Sequence, residues 1–253
     1  PCSQKTMARK VTHSIEYGGI TLPALVHSEE SVRYAHRSFQ VRDSDDEGIE
    51  GTTWMQEILT LIHSDGDPTL SRSAIYTIRD PRDVCVSLYY YAKMSSFLDY
   101  VEDFGEFLEM FSAGKILFGT WFDHVKSWLA YKDQKNFFLL TYDELLKDLP
   151  GSVRRICKFL GKDLDASAVD SVVENASFES MKGNKMVNYS LVPNNVMNQS
   201  VSPFLRKGIS GDWRSHFTSE QAALFQRLYQ EKMKDVEIKF PWDELQRKIY
   251  RES

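Results

Sequence analysis

The chain has 253 residues, carries 31 Lys and Arg against 36 Asp and Glu, and has a formal net charge of −5. Its 42% hydrophobic and 26% charged content fits a globular protein with a substantial core and excludes collagen-like, coiled-coil and disordered classes. No apolar run approaches the ~20 residues of a membrane-spanning helix, and the mild acidity argues against a nucleic-acid partner. The expectation is a soluble, cytoplasmic protein in which any anionic ligand is held by a local cluster of cations.

In chain order, Tyr17-Gly18-Gly19-Ile20-Thr21-Leu22 predicts a turn and a short strand, and residues 38–42 alternate like an edge strand. An acidic loop follows over 43–50. Gly51-Thr52-Thr53-Trp54 then opens a helix marked by Ile58, Leu61 and Ile62. Ala74-Ile75-Tyr76-Thr77-Ile78 reads as a strand closed by Arg79-Asp80-Pro81, with a helix over 83–94 after it. Residues 137–142 repeat that pattern, and a helix over 152–160 is ended by Gly161. Helical periodicity over 104–111, 115–131 and 219–234 supplies covering layers. No linker divides the chain, so residues 1–253 read as a single α/β domain with three layers around a mostly parallel central sheet. Ligands of such sheets bind at the carboxyl ends of the strands, which puts Arg79 and Tyr142 at the ligand edge.

The three cysteines, Cys2, Cys85 and Cys157, are odd in number and scattered, without metal-ligand spacing, so neither a disulfide framework nor a metal site is expected. Cys85 and Cys157 read as buried small hydrophobes.

Three features point toward an anion. Gly51-Thr52-Thr53-Trp54 at a helix start offers free N–H groups and two hydroxyls, although the same string also reads as a plain helix cap. Arg79 with Ser87 offers a strand-end guanidinium and a hydroxyl on the following helix, with a surface Arg/Asp network as the alternative. Leu205-Arg206-Lys207-Gly208 places two adjacent cations in a glycine-bearing loop, which also reads as a solvated turn. Trp54 and Phe178 are aromatics suited to stacking a nucleobase or to packing in a core. Together these suggest a nucleotide carrying more than one phosphate. The aromatic run Tyr89, Tyr90, Tyr91, with Phe97, suits an apolar acceptor pocket or plain core packing.

The strings Gly51-Thr52-Thr53-Trp54-Met55, Tyr76-Thr77-Ile78-Arg79-Asp80-Pro81-Arg82-Asp83-Val84-Cys85-Val86-Ser87, Phe138-Leu139-Leu140-Thr141-Tyr142-Asp143-Glu144-Leu145 and Phe204-Leu205-Arg206-Lys207-Gly208-Ile209-Ser210-Gly211-Asp212-Trp213 resemble the cytosolic sulfotransferases. Ser177-Phe178-Glu179-Ser180-Met181-Lys182, Asn188-Tyr189-Ser190-Leu191 and Phe240-Pro241-Trp242-Asp243 resemble the hydroxysteroid or alcohol branch. The resemblance implies a P-loop-like sulfotransferase fold and sulfuryl transfer from 3′-phosphoadenosine 5′-phosphosulfate, without a metal, to a hydroxyl or amine of a small lipophilic acceptor such as a steroid, alcohol or phenol. Adenosine 3′,5′-bisphosphate would be the product nucleotide and steroid sulfation in lipid metabolism the setting. By the same resemblance the Gly51, Thr52, Thr53, Trp54 loop takes the 5′-phosphosulfate. Arg79, Ser87 and the Leu205, Arg206, Lys207, Gly208 turn take the 3′-phosphate. Trp54 and Phe178 sandwich the adenine, and Tyr142 bonds near it.

The resemblance departs from the family pattern in three places. The family's Tyr-Pro-Lys-Ser-Gly-Thr-Thr-Trp loop has Gly48, Ile49 and Glu50 in its Pro, Lys and Ser positions here, and four carboxylates within 43–47 cannot form the buried strand before it. After Leu70, the segment bearing the family's general-base His has no counterpart, and His63 reads as a surface or packing residue. The family dimer motif survives only as Arg214-Ser215-His216-Phe217-Thr218-Ser219, which weakens the expectation of a homodimer. Either residues are missing near 45–50 and 70–71 of an intact enzyme, or the chain is an inactive donor-binding variant without catalytic Lys and His.

Overall fold

The computed structural model describes residues 14–17, 20–23, 74–98, 100–116 and 119–243. The Gly51–Trp54 loop, the acidic segment, His63 and Cys2 lie outside the described residues. Strands β1 (Ser14–Tyr17) and β2 (Ile20–Pro23) pair antiparallel, with Tyr17 opposite Ile20.

Strands β3 (Ala74–Ile78) and β4 (Phe137–Thr141) form a parallel pair in register from Ala74↔Phe137 to Ile78↔Thr141. Between them lie α1 (Pro81–Met94), α2 (Phe104–Ser112) and α3 (Trp121–Leu129). After β4 come α4 (Tyr142–Lys147), α5 (Leu149–Phe159), α6 (Ala166–Asn175), α7 (Phe178–Gly183), a 3-10 turn at Asp212–Ser215 and α8 (Ser219–Met233). This is the expected α/β class with a parallel sheet.

Side chains alternate along the strands, so each face of the pair receives its own cover. Tyr76, Ile78 and Phe137 join α1 to α3, α8 and the Phe240–Trp242 stack in one apolar core. Phe138 on the opposite face stacks on Phe159 of α5, centroids 5.3 Å apart. Helices thus cover both faces, as a parallel sheet requires. Within the core, Phe107, Phe122 and Trp242 are almost fully buried, and each such side chain contributes about 1.5–3 kcal/mol by leaving water.

Several boundaries depart from expectation. The helix expected over 115–131 forms only at Trp121–Leu129, because Gly114 and Gly119 adopt left-handed backbone (φ 68° and 70°) and Thr120 caps the new start. The helix expected from Ser152 begins at Leu149, where the Asp148 carboxylate accepts the Gly151 N–H and Pro150 sits in the first turn. Cys85 is fully buried as expected, and burial pushes its thiol well above its ordinary pKa, whereas Cys157 is only partly buried on α5.

Candidate functional site

Arg79 follows β3 directly and Tyr142 follows β4, so the parallel register sets the two side by side at the carboxyl edge of the sheet. Each is held by a cap. The Asp80 carboxylate accepts the Arg82 N–H at 3.0 Å, with Pro81 opening α1. Thr141 Oγ1 accepts the Glu144 N–H while the Glu144 carboxylate accepts the Thr141 N–H, a reciprocal box that fixes the start of α4. The Arg79 guanidinium lies 4.4 Å over the Tyr142 ring and donates from Nη2 to the Ile209 carbonyl at 2.8 Å. Burial raises the Tyr142 phenol above its ordinary pKa, against the pull of Arg79. Arg79 Nε is buried with no hydrogen-bond partner among the described residues. A donor in that state is suited to an incoming acceptor.

The alternative of a surface Arg/Asp network is corrected here. Arg82 and Asp80 pair through 2.9 and 2.6 Å bonds with side chains only 6% and 5% exposed, and the guanidinium lies 4.0 Å over Trp213. Asp83 is buried and turns its carboxylate to the backbone N–H groups of Gly211 (2.6 Å) and Trp213 (2.9 Å). Burial raises its pKa, and those two bonds oppose the rise. α1 therefore anchors the distant Gly211-Asp212-Trp213 turn.

That anchoring brings the third anion feature to Arg79 at the end of β3. Gly208, with φ 66°, packs so tightly on Phe178 that a Cβ there would stand 2.5 Å from Cγ and 2.7 Å from Cε2 of the ring. Arg206 and Lys207 both bond to the buried carboxylate of Asp212, Arg206 largely covered and Lys207 still exposed to solvent. Arg206 also lies 4.4 Å over Tyr90.

Every described member of the expected site lines one cavity of about 600 Å³: Arg79 and Ser87, Tyr142, Phe178, and the Leu205, Arg206, Lys207, Gly208 run. Its remaining wall is largely apolar, with Met94, Phe111, Ile116, Trp121 and Phe204. Tyr90 and Tyr91 reach this wall as expected. Tyr89 does not: it is buried in the core and donates its hydroxyl to the Glu102 carbonyl at 2.6 Å. Phe97 packs against the core beside Tyr91. Sequence reasoning missed His124, which lines the cavity near Tyr76 and Trp128 and whose imidazole pKa is lowered by desolvation. Its one signal was a position in the first turn of α3, after the Thr120 cap. Asp83 and Asp212 were also missed, although both sit inside the quoted motifs.

A model of the sulfotransferase domain matches residues 69–237. Sulfotransferase 2B1 of Mus musculus is 39% identical over 278 positions covering 90% of this chain and 82% of its own. That span exceeds the 253 residues of this chain, so the mouse relative carries internal residues with no counterpart here. Sulfotransferase 2A1 of Homo sapiens is 35% identical, covering 90% of this chain and 98% of its own. A crystal structure of retinol dehydratase in complex with androsterone and the inactive cofactor PAP superposes with a TM-score of 0.63 at 34% identity, over 67% of this chain and 49%, about half, of that one. On the strength of the domain match and of these extended identities, the chain belongs to the sulfotransferase family.

Proposed function

We propose that this protein transfers a sulfuryl group from 3′-phosphoadenosine 5′-phosphosulfate to the hydroxyl of a small lipophilic acceptor of the steroid or alcohol class, in the cytoplasm. One observation carries the reading: a single cavity combines three cationic side chains with a largely apolar wall. That combination suits a polyanionic nucleotide beside a greasy acceptor. Arg79 Nε, without a partner among the described residues, fits the donor's need for phosphate contacts. In this reading Arg79, Ser87, Arg206, Lys207 and Gly208 hold the 3′-phosphate, Phe178 stacks on the adenine with Trp54, Tyr142 bonds beside it, and Gly51, Thr52 and Thr53 take the 5′ end. The bound donor supplies the sulfuryl group; the chain's own residues orient it and exclude water. The chain is a single domain whose expected breaks near 45–50 and 70–71 mark lost internal residues, a reading supported by the longer aligned span of the mouse relative.

A second reading, donor binding without turnover, is favoured by Gly48, Ile49 and Glu50 where the family has Pro, Lys and Ser. A labelled-donor sulfation assay against sterols, alcohols and phenols separates the two. Turnover supports the enzyme; tight binding of adenosine 3′,5′-bisphosphate without turnover leaves only the binding protein. Arg206→Ala should weaken that nucleotide far more than adenosine 5′-monophosphate, and equal losses would refute the 3′-phosphate assignment.

A further inference from the structure

Asp212 has no role in the reading above, which assigns the anion to its neighbours Arg206 and Lys207. Its carboxylate is only 4% exposed, and each oxygen takes a different cation, Oδ2 from Arg206 and Oδ1 from Lys207. Its backbone is held on both sides, because Asp83 binds the N–H groups of Gly211 and Trp213. The grip on Arg206 has a second jaw. The Tyr90 ring lies beneath the guanidinium, the Tyr90 hydroxyl pairs with His216 Nε2 at 3.0 Å, and His216 Nδ1 pairs with the Asp212 carbonyl oxygen at 3.0 Å. Asp212, Arg206, Tyr90 and His216 therefore close a ring of contacts beside the cavity.

We propose that Asp212 is a positioning residue for the 3′-phosphate: a buried carboxylate that fixes both cations before the nucleotide arrives and so sets the selectivity for a 3′-phosphorylated nucleotide. The inference rests on the donor assignment above. The physical grounds are three. Long cationic side chains lose rotamer freedom when they bind, and anchoring them beforehand removes that cost from the binding step. An anchor on the buried side engages one nitrogen of each cation and leaves the remaining donors for a ligand. The trio keeps a net charge of +1, so the anchor orders the cations without cancelling them. A buried carboxylate without these partners would be strongly unfavourable, which makes the arrangement rigid.

The test is calorimetric titration of adenosine 3′,5′-bisphosphate and adenosine 5′-monophosphate into the wild-type chain, Asp212→Asn and Asp212→Glu. The readout is the ratio of the two dissociation constants, which a merely structural role does not move in the folded fraction. Wild type should prefer the 3′-phosphorylated nucleotide strongly, Asp212→Asn should lower the preference at least tenfold, and Asp212→Glu, which keeps the charge but displaces it, should fall between. A wild-type ratio near one overturns the donor assignment and this inference with it. A strong wild-type preference left unchanged or increased in Asp212→Asn overturns the positioning role alone. If Asp212→Asn does not fold, Asp212→Glu decides, and a ratio equal to wild type overturns the role.

Discussion

Asp83 Oδ1 accepts the backbone N–H of Trp213 at 2.9 Å across 130 residues of chain. With the 2.6 Å bond from the Gly211 N–H to the other oxygen, one side chain in the first turn of α1 fastens the loop that carries Arg206 and Lys207. Hydrogen bonds to charged groups contribute about 1.5–3 kcal/mol each, and a buried N–H left without an acceptor costs about 1–3 kcal/mol. Asp83→Ala should therefore destabilise the protein by about 2–4 kcal/mol in urea unfolding, with Asp83→Asn less damaging because its amide oxygen still accepts one bond. A loss below about 0.5 kcal/mol for Asp83→Ala, the scale of an ordinary surface change, would rule out the anchoring role.

Gly208 leaves no room for a Cβ against the Phe178 ring. A methyl group at Gly208 would push the ring aside, and φ 66° adds left-handed backbone strain of about 1–2 kcal/mol for a residue with a Cβ. Gly208→Ala should lower thermal stability by several degrees, on the scale of about 2 kcal/mol, and weaken adenine-nucleotide binding at least tenfold. Unchanged nucleotide affinity in a folded Gly208→Ala protein would remove Phe178 from the adenine site.

The strand ends were legible in the sequence because the chemistry there is local. A short β-branched run closed by Arg79-Asp80-Pro81 announces both the end of β3 and the cap of α1, and Thr141 with Glu144 does the same after β4. The convergence of Arg79, Phe178 and Arg206 followed from motif resemblance and not from any local pattern. Of the two readings open for the tyrosine run, core packing holds for Tyr89 and the cavity wall for Tyr90 and Tyr91, because consecutive helical residues differ by about 100° and so meet different surroundings. Asp212 was invisible for a different reason. A carboxylate beside a presumed anion site reads as repulsive until its burial and its two cationic partners are known.

The Asp212 carboxyl carries a pH signature. Burial alone would raise its pKa, but the bonds from Lys207 and Arg206 outweigh this and lower it to about 2. A carboxyl depressed below its unfolded value of roughly 3.9 contributes stability that is fully present above that value and lost as pH falls through the folded value. Asp83, whose pKa is raised, contributes with the opposite sign, so the total profile mixes the two. The stability difference between wild type and Asp212→Asn isolates the first. It should stay constant from about pH 7 to 5 and shrink between about 4 and 2. A difference independent of pH across that window would show that Asp212 is not ionised and paired.

Arg79 holds its place by shape as well as charge. Its planar guanidinium spreads over the Tyr142 ring, reaches the Ile209 carbonyl with Nη2 and leaves Nε buried and without a partner among the described residues. A lysine keeps the charge but lacks the plane, the fork and the Nε donor, so the exchange is not conservative at such a site. Arg79→Lys should weaken adenosine 3′,5′-bisphosphate by about ten- to a hundredfold, equivalent to about 1.4–2.7 kcal/mol, while changing unfolding stability by less than about 1 kcal/mol. Adenosine 5′-monophosphate should lose little, because the contact removed belongs to the 3′-phosphate. Equal weakening of both nucleotides would place Arg79 elsewhere on the ligand. An unchanged affinity for both would mean that charge alone suffices at the strand edge and that the stack on Tyr142 serves packing.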